Sequence, residues 1–147
     1  MISSLILIIQ VLCLSLWIGG SATIVLIVSP ELSKHLSREQ AVSIAGKVSR
    51  RLGTLMLPVL FLLAATILVQ LAGMSGAANL KMRLALIFVF GGLLLVVYNR
   101  YLISPRMRRA ADDVTFRRLH NRSVTLLVLN LFLGISVVIT FIVPVSL

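Results

Sequence analysis

The chain has 147 residues, is 59% hydrophobic and 12% charged, and carries 14 Lys and Arg against 4 Asp and Glu, a net charge of +10 with mean hydropathy +1.10. About two thirds of it falls in long apolar runs, which excludes a soluble globular core and leaves a polytopic membrane protein of one domain, residues 1–147. A net charge of this size in a soluble protein would point to nucleic acid. Here the basic residues lack interleaved aromatic side chains, and no nucleic-acid partner is expected.

Four runs, at about 2–28, 54–74, 80–102 and 124–147, each reach the roughly 20 residues a helix needs to cross the hydrocarbon. None alternates at period two like a membrane-barrel strand, so the expected fold is all-α, a four-transmembrane-helix bundle. The first run lacks a basic leading segment and is longer than a signal-peptide core, so it reads as the first span and not as a cleaved leader. On a helical wheel it places Gln10, Cys13, Trp17, Gly20 and Ser21 on one side, with Ser15, Gly19, Ala22 and Thr23 beside them. Leu7, Val11, Leu14, Ile18 and Val25 lie opposite and are expected to face lipid. Trp17 is deeper than an interfacial belt position. Either it lines an internal pocket with Gln10 as polar partner, or small residues admit a neighbouring backbone and Trp17 fills the volume beside them.

The first span ends at Val28-Ser29-Pro30 and a basic segment, about 31–53, follows with Lys34, Arg38, Lys47, Arg50 and Arg51. Ser37 with Gln40 fits a capping box, and Ala41, Ile44, Ala45 and Val48 fall at helical spacing. A basic amphipathic helix lying on the anionic inner leaflet is expected there. The second span leads through a tight turn at Met74–Asn79 into the third, where Arg83 either snorkels to headgroups or offers a fixed charge inside the bundle. The third span ends at Ile103-Ser104-Pro105. A second basic segment, about 103–123, carries Arg106, Arg108, Arg109, Arg117, Arg118 and Arg122, with Asp112 or Asp113 capping a short helix through Val114, Phe116 and Leu119. Arg100 reads as a topology anchor. The two Ser-Pro pairs and the glycine pairs Gly19-Gly20 and Gly91-Gly92 suggest two tandem helical hairpins of like orientation.

Only two connecting segments are strongly basic, so the positive-inside rule puts both in the cytoplasm and both termini outside. A multi-pass protein of the cell membrane, the bacterial inner membrane, follows. Its expected partners are the bilayer, anionic inner-leaflet lipids and either a second copy or another membrane protein.

Polar groups within the spans are few. Asn130 and Asn99 need partners that hydrocarbon does not supply, so each is either a functional group or interhelical glue. The four acids, Glu31, Glu39, Asp112 and Asp113, are all in the basic segments, which removes a carboxylate proton relay. No nucleophile elbow, phosphate loop or dinucleotide fingerprint is present. His35 and His120 lie outside the apolar runs, Cys13 is alone, and the methionines are scattered, so no metal or other cofactor is predicted. His120, beside Phe116, is either a surface switch or a solvated side chain. The pattern leans against an enzyme.

Trp17-Ile18-Gly19-Gly20, then Pro30, Arg51 before the second span, Asn99 with Pro105 after the third, and Phe116 with Leu119-His120 before the fourth together resemble the transmembrane-protein-205-like domain, a four-helix membrane domain of unknown function. The resemblance covers nearly the whole chain. It implies that Trp17, Gly19, Gly20, Pro30, Arg51, Asn99, Pro105 and His120 are signature positions, with no reaction assigned to them. The Trp-x-Gly-Gly opening is also similar to that of the copper-resistance D family, although the histidine or methionine pair of copper sites is missing from these spans. Membrane protoporphyrinogen oxidases share the four-helix plan but place a histidine within their helices. The leading expectation is a non-enzymatic membrane protein acting through assembly or a small-solute path. The alternative is a metal (copper) or haem-handling membrane protein.

Overall fold

The computed structural model describes residues 2–28, 30–31, 38–73, 77–110 and 112–142. His35, Ser37 of the expected capping box, Met74 of the expected tight turn and residues 143–147 of the fourth apolar run lie outside them. The described residues are helical and contain no strand. Helix α1 spans Ile2–Thr23 and runs on as a π-helical turn, Ile24–Val28. Helix α2 spans Arg38–Ala72 and α3 spans Ala77–Tyr98, which continues in a second π-helical turn, Asn99–Ile103. The short α4, Ser104–Arg109, and the long α5, Asp113–Ile142, are the last of the described elements. Segments Ser4–Val28, Arg50–Ala72, Asn79–Met107 and Val114–Ile142 are each long and apolar enough to cross a membrane, so the protein is a multi-pass all-α bundle.

Helices α1, α2, α3 and α5 pack in a ring in chain order, each against its two neighbours, and α3–α5 is the most extensive pair. The core is built from Cys13, Leu14 and Trp17 of α1, Met56, Leu60, Leu63 and Ile67 of α2, Ala85, Val89 and Val96 of α3, and Val137 of α5. Those α2 positions recur at spacings of three and four, which keeps them on one stripe of the helix. Leu14 is buried, and Ile18 is half-buried against the backbone at Gly134, so both point into the bundle and not to lipid as the wheel implied. Leu7 and Val11 are exposed on the outer face, as expected.

Two helices are longer than the apolar runs alone indicate. The amphipathic stretch expected to lie on the leaflet is continuous with the second span, and α2 is about 52 Å long at 1.5 Å per residue. Nothing between Arg38 and the span stops the hydrogen-bond ladder, so the polar segment prolongs the helix axis. Pro58, an exposed position in the span, leaves the helix unbroken. Likewise the helix expected as a separate short piece near Asp112 is the start of α5. Asp112 Oδ2 accepts a hydrogen bond from the Thr115 backbone N–H at 2.9 Å, an N-cap that fixes where α5 begins. Asp112→Ala is expected to lower stability by about 1 kcal/mol, with the loss of protection confined to the first turns of α5 in amide exchange.

At this end Met107 of α4 is buried among Val28, Phe116 and Leu119, a small cluster separate from the main core. Val114 is exposed.

The two halves of the chain share a spacing. Each has a five-residue π-helical turn, one serine, then a proline, and each long helix after it starts at the same offset (105 − 30 and 113 − 38 are both 75). A proline withdraws one backbone N–H and crowds the preceding turn, and a wider π turn accommodates that crowding. This offset pairs Trp17 with Gly92, so the glycine pairs are not equivalent positions. The largest side chain of one hairpin corresponds to the smallest of the other.

Candidate functional site: a buried polar core

Trp17 occupies the centre of the bundle with no exposed surface. Two glycines make that placement sterically feasible. A Cβ at Gly92 of α3 would lie 2.5 Å from Trp17 Cζ2 and 3.0 Å from Asn130 Oδ1. A Cβ at Gly134 of α5 would lie 3.0 Å from Ile18 Cγ1 and 3.4 Å from Trp17 Cδ2. The indole thus sits in a slot made by absent side chains on two facing helices, and Asn130 of α5 lies against the same glycine.

The polar groups around it divide into satisfied and unsatisfied ones. Gln10 Nε2 donates to Gln70 Oε1 at 2.9 Å, tying α1 to α2. Gln10 is therefore the partner of Gln70, and not of Trp17 as the pocket-lining alternative required. Toward the basic end, Ser123 Oγ donates to Asn99 Oδ1 at 2.9 Å, linking the π-helical turn to α5. Between these pairs, Trp17 Nε1, Ser21 Oγ and both amide atoms of Asn130 are buried with no hydrogen-bond partner among the described residues. An unpartnered buried polar group costs roughly 1–3 kcal/mol.

A cavity of about 20 Å³ lies beside Asn130, between α2, α3 and α5, lined also by Gly53, Met56, Val96, Asn99, Arg100 and Leu127. Arg100 is half-buried at its edge. Its aliphatic stem lies where a Gly53 side chain would be, with Cδ 3.3 Å from a Cβ placed there.

The remaining sequence candidates are spread out. Gly20 packs within the chain, since a Cβ there would meet Met56 Cε at 2.5 Å, whereas Gly19 is exposed with nothing within 4 Å. Arg51 is exposed on α2 and Arg83 is exposed on α3. Pro30 and Pro105 follow the two π-helical turns. His120 is half-buried one turn along from Phe116, its ring stacked at 5.9 Å and 17°. The structure therefore gathers Trp17, Asn99 and Asn130 near the bundle centre, with Gln10 in the same core. It leaves Arg51, Arg83 and His120 elsewhere. Gly92, Gly134, Ser21 and Ser123 belong to the core site as well. Gly92 was visible only as half of a glycine pair, and Gly134 and Ser123 carried no sequence signal of their own.

Alongside α1 run two apolar grooves. One of about 570 Å³ lies toward α5 and includes Gln10, Leu14, Ile18, Gln70 and Phe141. The other, of about 370 Å³, lies toward α2 and includes Leu16, Gly20, Leu52 and Val59. Ser15 and Gly19 line both, so they form the ridge between them.

No group of three His, Cys, Asp or Glu converges among the described residues. No curated protein and no solved structure matches the chain. A family model does match, over residues 12–115, a stretch that runs from the Trp17 face through both π-helical turns to the start of α5. On that match the chain belongs to DUF4149, a family defined by a domain of unknown function.

Proposed function

We propose that this protein is a non-enzymatic membrane component that works by assembling with a second copy of itself through the outer face of α1. The observation that carries the reading is the open ground at Gly19, a backbone position exposed with nothing within 4 Å and flanked on both sides by apolar grooves. A ridge with a groove on each side is self-complementary. Under a two-fold axis the ridge of one copy enters a groove of the other and receives its ridge in return. Small residues at such a ridge allow close backbone approach, the main source of helix association in lipid. The bundle interior adds support, because Trp17 fills its centre and the cavity beside Asn130 is water-sized. A solute path would therefore form between copies and not through one bundle. The positive-inside rule supports basic segments in the cytoplasm, termini outside, and residence in the bacterial inner membrane, with anionic lipids at the basic end.

The test separates two adjacent glycines. Gly19→Leu is expected to convert the oligomer to monomer in mild detergent, read by light scattering, with unfolding temperature unchanged in the monomer. Gly20→Leu, which would drive into Met56, is expected to lower stability. A wild-type chain that is monomeric in detergent and uncrosslinked in native membranes would sink the proposal. An absorption spectrum and elemental analysis of the same sample test the copper or haem alternative.

A further inference from the structure

Asn130 is the most demanding side chain in the molecule. It is 2% exposed, both amide atoms lack a hydrogen-bond partner among the described residues, and it lines a small, partly enclosed pocket in the half of the bundle toward the basic end. The amide has two donor hydrogens and an acceptor oxygen, so it can serve a guest that both donates and accepts. The pocket has the size for one such guest. Its volume of about 20 Å³ exceeds the roughly 10–15 Å³ that a single water needs. Its wall is also polar enough: Asn99 of the π-helical turn lines it from α3, opposite Asn130 on α5, and Arg100 borders it on the side of the basic end. An apolar cavity of this size would stay dry, whereas one with convergent amides holds water.

We propose that this pocket is a binding site for one water-sized hydrogen-bonding molecule, water itself in the resting protein, held between the amides of Asn130 and Asn99. The site is distinct from the exposed Gly19 ridge, and Leu52 and Met56 form the wall between the pocket and the groove toward α2. It gives the π-helical turn at Asn99–Ile103 a role. The Asn99 carboxamide oxygen is already engaged by Ser123, which orients the rest of that amide group. The half-buried Arg100 stem, seated on Gly53, is the part of the wall nearest the basic end, so exchange with bulk water runs along it.

Water-edited solid-state NMR on the full chain in bilayers, with side-chain amides labelled by nitrogen-15, tests this without any substitution. Polarisation transfer from water to Asn130 Nδ2 and Asn99 Nδ2 is expected. Gln10, buried at the other end of the bundle with its Nε2 bonded to Gln70 Oε1, serves as the reference and should show at least several-fold less. Absence of transfer at Asn130 overturns the proposal. Asn130→Leu then serves as the second arm, since leucine keeps the branched heavy-atom skeleton of asparagine and needs no hydrogen-bond partner. In the variant, transfer at Asn99 should be lost. Persistence of that signal in a folded Asn130→Leu protein would show that the water sits elsewhere, and would equally overturn the site.

Discussion

Gly92→Ala should destabilise the bundle by about 1–3 kcal/mol, the range for overpacking a filled core, and Trp17→Phe should recover part of that loss in the double variant. The added methyl would stand 2.5 Å from Trp17 Cζ2 and 3.0 Å from Cη2, atoms of a large, fully enclosed ring. Unlike a methionine tip, the indole cannot bend away, and behind it Gly134 already marks close approach to α5. Phenylalanine lacks the outer part of the indole and vacates the contested space. A double-mutant cycle read by denaturation in detergent should therefore give a coupling of roughly 0.5–3 kcal/mol, as expected for residues in contact. The chain holds a single tryptophan, so its emission reports this slot alone and should shift in Gly92→Ala. Additive effects with an unshifted spectrum would mean that the slot is not as tight as the geometry requires.

Trp17→Ala should lose about 3–5 kcal/mol, the usual result of truncating a buried aromatic side chain. The indole reaches from α1 across to α3 and α5, so its removal opens a void shared by three helices and strips the cover from Asn130. Insertion into the membrane should be unaffected, because span hydrophobicity is nearly unchanged. Circular dichroism is the suitable probe, since the variant has no tryptophan. A variant as stable as the wild type would show that Trp17 lines an open pocket and does not fill the core.

The polar core was partly legible beforehand. The wheel grouped Gln10, Cys13, Trp17, Gly20 and Ser21; Gly20 is half-buried and the other four are buried, because a 3.6-residue period survives in any straight helix. Asn99 and Asn130 stood out for a chemical reason, since amides inside hydrocarbon need partners. Their pairings were not legible. That Gln10 meets Gln70, Ser123 meets Asn99, and Asn130 meets no protein group depends on helix rotation and axial register between segments up to 60 residues apart. The two adjacent glycines illustrate the same limit. Gly19 and Gly20 are indistinguishable as letters, yet 100° of helix rotation puts one on the outer face and the other against Met56.

By itself the sequence determined that the chain crosses a membrane four times as helices, and where its charge concentrates. Both follow from local quantities, the apolar length needed to cross a bilayer and the requirement that backbone groups bond within the segment. The prolines were read as span ends, and only the structure shows a π-helical turn ahead of each and the third span running on to Met107. Only the tertiary structure decided that α2 and α5 run on beyond their apolar runs, since continuation of a helix depends on capping and on nothing interrupting its ladder. It alone decided that Trp17 closes the bundle centre on Gly92, a contact between positions 75 residues apart. Side-chain volume is written in the sequence, but the space available to it is set by which neighbouring helices leave room.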